Sequence, residues 1–120
     1  DLLTVMQATT NGTLKNTEVN FSDGHACCVI MASKGYPTSY EKGFSLEIPE
    51  AIRDSVYVAG AAMKDGVLVT NGGRVLGATA VADSLEAAVE GAYGMVKTIH
   101  FANAYYRNDI GQRALQAGRK

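Results

Sequence analysis

The sequence predicts an α+β fold: a small, mostly antiparallel β-sheet or partial barrel with one long helix packed on it. Two observations carry this prediction. Between residues 25 and 80, short apolar segments are separated by turn residues, which is typical of short β-strands. A single amphipathic helical pattern follows, and strands succeeded by a helix indicate the α+β class. At 120 residues and 47% hydrophobic content, the chain is long enough for one domain with one core.

A short helix is predicted at the start of the chain, over residues 2–8. Leu2, Leu3 and Met6 lie on one side of it, and Thr9–Gly12 ends it. A helix of this length is not stable alone in water, so it needs a surface to pack on. The chain also begins without methionine, which predicts either a fragment of a longer polypeptide or a processed or truncated chain.

Three strand segments are predicted next. Residues 25–32 are almost continuously apolar, which predicts a strand buried on both faces. Residues 44–48 alternate between apolar and polar side chains, which predicts a strand with one face in water. Residues 55–62 are predicted to form a further strand.

A β-hairpin region is predicted over residues 64–80, with Asp65–Gly66 as its first turn. Apolar runs also meet across Asn71–Gly72–Gly73, which predicts a second tight turn, because such turns need residues that tolerate positive φ. These glycines leave backbone N–H groups uncovered, and Arg74 adds a guanidinium, so the turn could hold a phosphate or a carboxylate. The alternative is a plain turn followed by a solvated arginine.

One long helix is predicted to begin at Asp83, whose carboxylate could accept a hydrogen bond from the Glu86 amide. Gly91 and Gly94 weaken a helix, so we expect them to permit close packing on the sheet. The apolar stripe that should face the sheet has helical spacing and comprises Leu85, Val89, Ala92, Val96 and Ile99.

Charge and cysteine content exclude several functions. With 11 basic and 12 acidic residues, the net charge is −1, which argues against a nucleic-acid or membrane-surface partner. Cys27 and Cys28 are adjacent and should point to opposite faces of a strand, so we expect no disulfide and no metal site. They predict a reducing compartment, and we expect a cytoplasmic protein. No apolar run approaches the length of a membrane span.

No catalytic set can be assembled from this sequence, and His25 and His100 are predicted to be structural. Tyr106, Arg107 and Arg113 form a more unusual group after the long helix. They are predicted to lie beside an anionic ligand or against a partner domain. In the alternative interpretation Arg107 pairs locally with Asp109, and a last helical turn is held by Ile110, Ala114 and Leu115.

Three segments resemble one family. Residues 33–43 resemble its small-x-Gly-Tyr-Pro-x-x-Tyr-x-x-Gly loop, and residues 65–76 resemble its Gly-Gly-Arg-Val hairpin. Residues 106–114 resemble its closing Tyr-Arg-x-Asp-Ile-Gly-x-Arg-Ala signature. In order and spacing, the chain is similar to the C-terminal domain of glycinamide ribonucleotide synthetase, also called phosphoribosylamine–glycine ligase.

The resemblance implies a reaction and its cofactors. The family uses ATP and Mg²⁺ or Mn²⁺ to join glycine to 5-phosphoribosylamine in purine biosynthesis, through an acyl phosphate of glycine. An ATP-grasp domain that precedes this one would hold the nucleotide and metal, so the implied partners are the enzyme's own N-terminal and ATP-grasp domains. Residues 1–22 would be the tail of the ATP-grasp domain and a connector, residues 23–117 the C-terminal domain, and residues 118–120 a frayed tail. We expect the chain alone to be inactive.

The resemblance also implies site residues. Gly72, Gly73 and Arg74 are expected to contact the phosphoribosyl part of the substrate. Lys64 could replace a family lysine that stands where this chain has Ala62. The other candidates for a substrate contact or a domain interface are Tyr106, Arg107 and Arg113.

Two alternative functions stay open at this point. One is the C-terminal domain of another ATP-grasp carboxylate–amine ligase. The other is a ligand-binding or docking domain without catalysis.

Overall fold

The computed structural model describes residues 1–117, and it has the predicted α+β architecture. The prediction for residues 118–120 lies outside this range. The helices are α1 (Leu2–Thr10), α2 (Leu85–Val96) and α3 (Gln112–Ala117), with 3₁₀ turns at Leu14–Asn16 and Glu50–Ser55. The strands are β1 (His25–Ser33), β2 (Val56–Val58), β3 (Ala61–Lys64), β4 (Val67–Thr70), β5 (Arg74–Ala82) and β6 (Ala104–Tyr105).

Two antiparallel sheets form the framework. The larger has the strand order β2-β5-β1-β6, and β3 pairs with β4 in a separate two-stranded sheet. The long strands β1 and β5 pair from His25 opposite Ala82 to Ala32 opposite Arg74, with an irregularity after Met31. The connection from β4 to β5 therefore links the two sheets.

Helix α2 covers one face of the larger sheet, where it packs on β1 and β5. The apolar stripe predicted from the sequence faces this core, although Leu85 is only half-buried. Burial of each large side chain contributes about 1.5–3 kcal/mol before entropy is counted. The fully buried side chains at the centre include Val29, Met31, Leu76 and Val96.

Two details of α2 differ from the prediction. Ser84, rather than Asp83, caps the helix: its extended backbone lets Oγ accept a hydrogen bond from the Ala87 amide at 3.2 Å. Gly91 does lie close to the sheet, since a Cβ there would be 3.1 Å from Ala80 Cβ. Gly94 has no atom within 4 Å of such a position, so its predicted close packing is wrong.

The prediction that β1 is buried on both faces is also wrong. Cys27, Val29, Met31 and Ser33 face the core, whereas Ile30 on the other face is 45% exposed. The reason is that α2 covers one face only. Cys27 and Cys28 fall on opposite faces, as predicted, and both thiols are free.

The segment 44–62 is more broken than predicted. Residues 44–48 alternate in burial as expected but form only isolated bridges, at Ser45 and Glu47. The strand predicted over residues 55–62 divides at Ala59–Gly60, because its first part pairs with β5 and its last part with β4. The division places Gly60 against the β4–β5 connection.

Helix α1 extends two residues beyond the predicted end, and it packs on the turn Leu14–Asn16. Its Leu2, Leu3 and Met6 side chains are 73%, 60% and 59% exposed. Residues 1–117 include no helix with the length and hydrophobicity needed to span a bilayer.

Candidate functional site

The two predicted turns have different structures. Asp65 and Gly66 have φ values of 51° and 79° and form the tight turn between β3 and β4, as predicted. Gly72 and Gly73 do not have positive φ, and the strands that flank them pair in different sheets. The second hairpin prediction is therefore wrong, because β4 pairs with β3, whereas β5 pairs with β1 and β2 in the larger sheet.

Gly72 is required for close backbone packing rather than for a turn conformation. A Cβ on Gly72 would lie 2.9 Å from Gly60 Cα, and a Cβ on Gly60 would lie 2.8 Å from Gly72 Cα. The Asn71 amide donates to Gly60 O at 2.8 Å, and the Gly60 amide donates to Val75 O at 3.0 Å. The two glycines thus hold the backbones of the two sheets in direct contact.

The last residue of β1 and the loop that follows it also contact this connection. Ser33 Oγ donates to Gly72 O at 2.9 Å, and the Ser33 amide donates to Gly73 O at 2.8 Å. The Tyr36 ring lies against Gly73, so that a Cβ on Gly73 would overlap the ring. Two segments of the family resemblance therefore meet here, although they are far apart in the sequence.

Arg74 emerges from this connection as the first residue of β5. It lies opposite Ala32 of β1, which in turn lies opposite Tyr105 of β6. Residues opposite each other share a face, and Ala32 follows the buried Met31, so this row lies on the face away from α2. Arg74 and Tyr105 are both exposed and flank the small Ala32.

The Arg74 guanidinium is available to an anion. The two ion pairs found within residues 1–117 join Arg53 to Glu50 and Arg107 to Asp109, so Arg74 takes part in neither. The amides of Gly72 and Gly73 donate no hydrogen bond within that same range. The exposed guanidinium of Arg74 has the donors that a phosphate or carboxylate needs, whereas Gly73 is buried against the Tyr36 ring.

The closing motif has a different environment. Arg107 donates to both carboxylate oxygens of Asp109, from Nε at 2.8 Å and from Nη2 at 2.6 Å. These hydrogen bonds lower the pKa of the Asp109 carboxyl and raise the pKa of Arg107. The pair is exposed and so contributes little to stability. Its bidentate geometry matches the local alternative considered for this segment.

Tyr93 of α2 anchors the same segment. Its hydroxyl donates to Arg107 O at 2.6 Å and accepts from the Ile110 amide at 3.1 Å. Tyr106 is half-buried against the Tyr93 ring, with centroids 6.3 Å apart, and Gly111 adopts a φ of 84°. The motif thus fixes how the chain leaves the long helix.

The remaining candidates do not gather around Arg74. Lys64 is exposed beside the Asp65–Gly66 turn, opposite Val67, at the far end of the β3–β4 hairpin from the glycines. Arg113 is exposed on α3. The side chains that do adjoin the glycines are those of Ser33 and Tyr36. Both belong to a motif of the family resemblance, but neither was predicted as a site residue.

Two concave regions adjoin these elements. A pocket of about 390 Å³ beside the Ser33 loop is lined by Lys34, Ser39, Tyr40, Glu41 and Asn103. A groove of about 960 Å³ runs between the β3–β4 hairpin and residues 45–58, and its polar edge includes Glu47, Arg53 and His100. None of the residues predicted as site residues lines either region.

Metal ions bind to proteins through clusters of ligand side chains. Residues 1–117 contain no group of three or more His, Cys, Asp or Glu side chains placed to bind one. The resemblance places the metal of the ligase on the preceding ATP-grasp domain, outside these residues.

The fold is that of one part of a solved ligase structure. The crystal structure of phosphoribosylamine–glycine ligase from Thermotoga maritima matches with a TM-score of 0.74 and 34% sequence identity. The match covers 88% of this chain and 27% of that chain.

The family follows from the sequence comparisons. The model of the phosphoribosylglycinamide synthetase C domain matches residues 26–113, and the chain belongs to this family. This confirms the resemblance identified from the three motifs.

Individual relatives agree with this assignment. The phosphoribosylamine–glycine ligase of Caldanaerobacter subterraneus is 47% identical over 111 residues, which cover 92% of this chain and 27% of the relative. A bifunctional purine biosynthetic protein of Schizosaccharomyces pombe is 41% identical over 123 residues, which cover all of this chain and 16% of that protein. The chain spans about 27% of the length of the first ligases that it matches.

Proposed function

We propose that this chain is the C-terminal domain of an ATP-dependent ligase. The ligase joins glycine to 5-phosphoribosylamine and forms glycinamide ribonucleotide. The observation that carries the proposal is the meeting of the Ser33–Tyr36 loop with Gly72–Arg74, which leaves the Arg74 guanidinium exposed and unpaired. The names of the ligases that match the chain support it.

Within this function, Arg74 binds the phosphate of the phosphoribosyl group. A guanidinium can donate two parallel hydrogen bonds to phosphate, which fixes orientation as well as charge. Orientation matters because the substrate amine must attack the acyl carbon of glycyl phosphate. The new carbon–nitrogen bond forms as the carbon–oxygen bond to phosphate breaks, and holding the amine in place lowers the entropic cost of that encounter.

The remainder of the ligase supplies what these residues do not. ATP and Mg²⁺ or Mn²⁺ bind mainly to the enzyme's own N-terminal and ATP-grasp domains, which are the partners of this domain. Residues 1–22 form the tail of the ATP-grasp domain and its connector, and residues 23–117 form the C-terminal domain. The exposed apolar side chains of α1 support this division. Purine synthesis and two free thiols fit the cytoplasm.

The other candidate residues receive separate roles. The bidentate bond of Arg107 to Asp109 favours a structural role over a substrate contact, and the packing of Tyr106 on Tyr93 supports the same role for Tyr106. Arg113 remains a candidate for the domain interface because it is exposed on α3. Lys64 lies at the turn end of the β3–β4 hairpin, opposite Val67, and we assign it no contact with the phosphate.

A chimeric enzyme tests this function. This chain replaces the matching segment of the Caldanaerobacter subterraneus ligase, to which it is 47% identical. We expect product formation that requires ATP, glycine and phosphoribosylamine, whereas a ligase without the segment and the chain alone are both inactive. A folded chimera that is no more active than the truncated ligase would contradict the proposed function.

A further inference from the structure

We propose that Ser33 is a positioning residue that acts on substrate through Arg74. This inference rests on the proposed function, in which Arg74 binds the phosphoribosyl phosphate. Ser33 is 1% exposed, and it holds the two residues before Arg74 with its side chain and with its backbone.

The geometry of the peptide unit explains how Ser33 acts at a distance. Gly72 O belongs to the peptide unit between Gly72 and Gly73, and Gly73 O belongs to the unit between Gly73 and Arg74. Each unit is planar, so holding its carbonyl oxygen restricts the whole unit. Ser33 therefore restrains both peptide units that lead to the Arg74 Cα.

This restraint matters because a glycine side chain does not restrict the backbone conformation. Glycine has the widest choice of backbone conformations, and two in succession would let Arg74 move relative to the sheet. Contact with the Tyr36 ring limits the movement of Gly73, and contact with the Gly60 backbone limits the movement of Gly72. Ser33 Oγ adds the directional hydrogen bond to Gly72 O at 2.9 Å.

The same hydrogen bond sets the direction of an amide donor. In a trans peptide unit, the carbonyl and the following N–H point in opposite directions. Because Gly72 O points towards Ser33, the Gly73 N–H points away from Ser33. Loss of the bond would free these peptide units, and with them the Arg74 guanidinium, from their fixed arrangement.

Ser33→Ala tests the inference in the active chimera, because it removes the side-chain hydrogen bond and leaves the backbone bond. From the usual value of one hydrogen bond, we expect the KM for phosphoribosylamine to rise by roughly 3- to 10-fold. The KM values for ATP and glycine should stay within experimental error. Ser84→Ala is the matched control, since it also removes a serine–backbone hydrogen bond, at the start of α2.

A double-mutant cycle shows whether Ser33 works through Arg74. If it does, the Ser33→Ala/Arg74→Ala variant has the same KM for phosphoribosylamine as Arg74→Ala alone. If the two residues act independently, the fold-increases in KM of the single variants multiply in the double variant. That result would overturn the inference. If Ser33→Ala does not fold, Ser33→Cys keeps the shape with a weaker donor and must show the same selective rise.

The outcomes separate this inference from the proposed function. If Arg74→Ala raises the KM for phosphoribosylamine and Ser33→Ala does not, only the inference fails. It also fails if Ser33→Ala changes all three KM values together or behaves like Ser84→Ala. If Arg74→Ala has no selective effect, the proposed phosphate site fails, and the role of Ser33 fails with it.

Discussion

Gly60→Ala measures how closely the two sheets approach at the candidate site. The new Cβ would lie 2.8 Å from Gly72 Cα and would overlap Arg74 O. Ordinary contacts of a carbon atom begin near 3.4 Å, and both obstructing atoms belong to the backbone, so neither can turn aside like a side chain.

The expected cost can be estimated from these contacts. Overpacking of this kind costs about 1–3 kcal/mol. A backbone shift would also strain the bonds from Asn71 to Gly60 and from Gly60 to Val75, each of which contributes about 0.5–1.5 kcal/mol. Alanine lowers the conformational entropy of the unfolded chain relative to glycine, which stabilises the folded state by about 0.4–1 kcal/mol. We therefore expect Gly60→Ala to lower the free energy of unfolding by about 1–3 kcal/mol.

Gly94→Ala is the control, for which we expect the free energy of unfolding to change in the opposite direction. Gly94 lies on the exposed face of α2, and no atom lies within 4 Å of an added Cβ. Alanine is the better helix former, so this change should raise the free energy of unfolding by up to about 1 kcal/mol.

Urea unfolding of the two variants, followed by far-ultraviolet circular dichroism, gives both free energies. We expect the free energy of unfolding to be lower than that of the parent chain for Gly60→Ala and higher for Gly94→Ala. A Gly60→Ala variant as stable as the parent would refute the close packing of Gly60 on Gly72.

Three further predictions concern the closing motif and the cysteines. Tyr93→Phe removes a hydroxyl that bonds to two backbone groups, so it should cost about 1–3 kcal/mol in urea unfolding; an unchanged midpoint would contradict this. The Asp109 carboxyl should titrate below its ordinary pKa by NMR, and Arg107→Gln should return it towards that value; because the folded pKa is lowered, the pair's contribution to stability is lost as pH falls through it. The exposed Cys28 thiol should react with a thiol reagent before the buried Cys27, whose pKa is raised by burial and by Cys28; equal rates would contradict the assigned faces.

Local patterns were sufficient where the structure depends on near neighbours. The stripe on α2 was predictable because helical spacing alone decides which residues share a face. The Asp65–Gly66 turn was predictable because this dipeptide suits the positive φ values that the turn requires. The adjacent Cys27 and Cys28 fall on opposite faces because side chains alternate along a strand.

Features that depend on distant partners were not predictable from local patterns. The apolar runs around Gly72 looked like a hairpin, but β4 pairs with β3 while β5 pairs with β1 and β2. A hydrophobic pattern does not state which strand is the partner. Continuous apolarity likewise could not show that β1 has one exposed face, because that depends on where α2 packs.

The candidate site was predictable in part. Gly72, Gly73 and Arg74 came from the motif, but its contact with Ser33 spans 39 residues of sequence and appears only in the fold. The motif gave no reason to connect Gly60 with Gly72 either. Conversely, it suggested a functional Arg107, whose guanidinium is paired with Asp109 in the structure.

The KM for phosphoribosylamine of the Arg74→Ala chimera, measured beside the KM for ATP, tests the central claim most directly. A lost guanidinium–phosphate contact is worth about 1.5–3 kcal/mol, so the first value should rise by roughly 10- to 150-fold while the second stays within error. Arg74→Lys should recover only part of this loss, because a lysine keeps the charge but not the planar pair of donors. Equal changes in both KM values, or none, would contradict the assignment of Arg74 to the phosphoribosyl group.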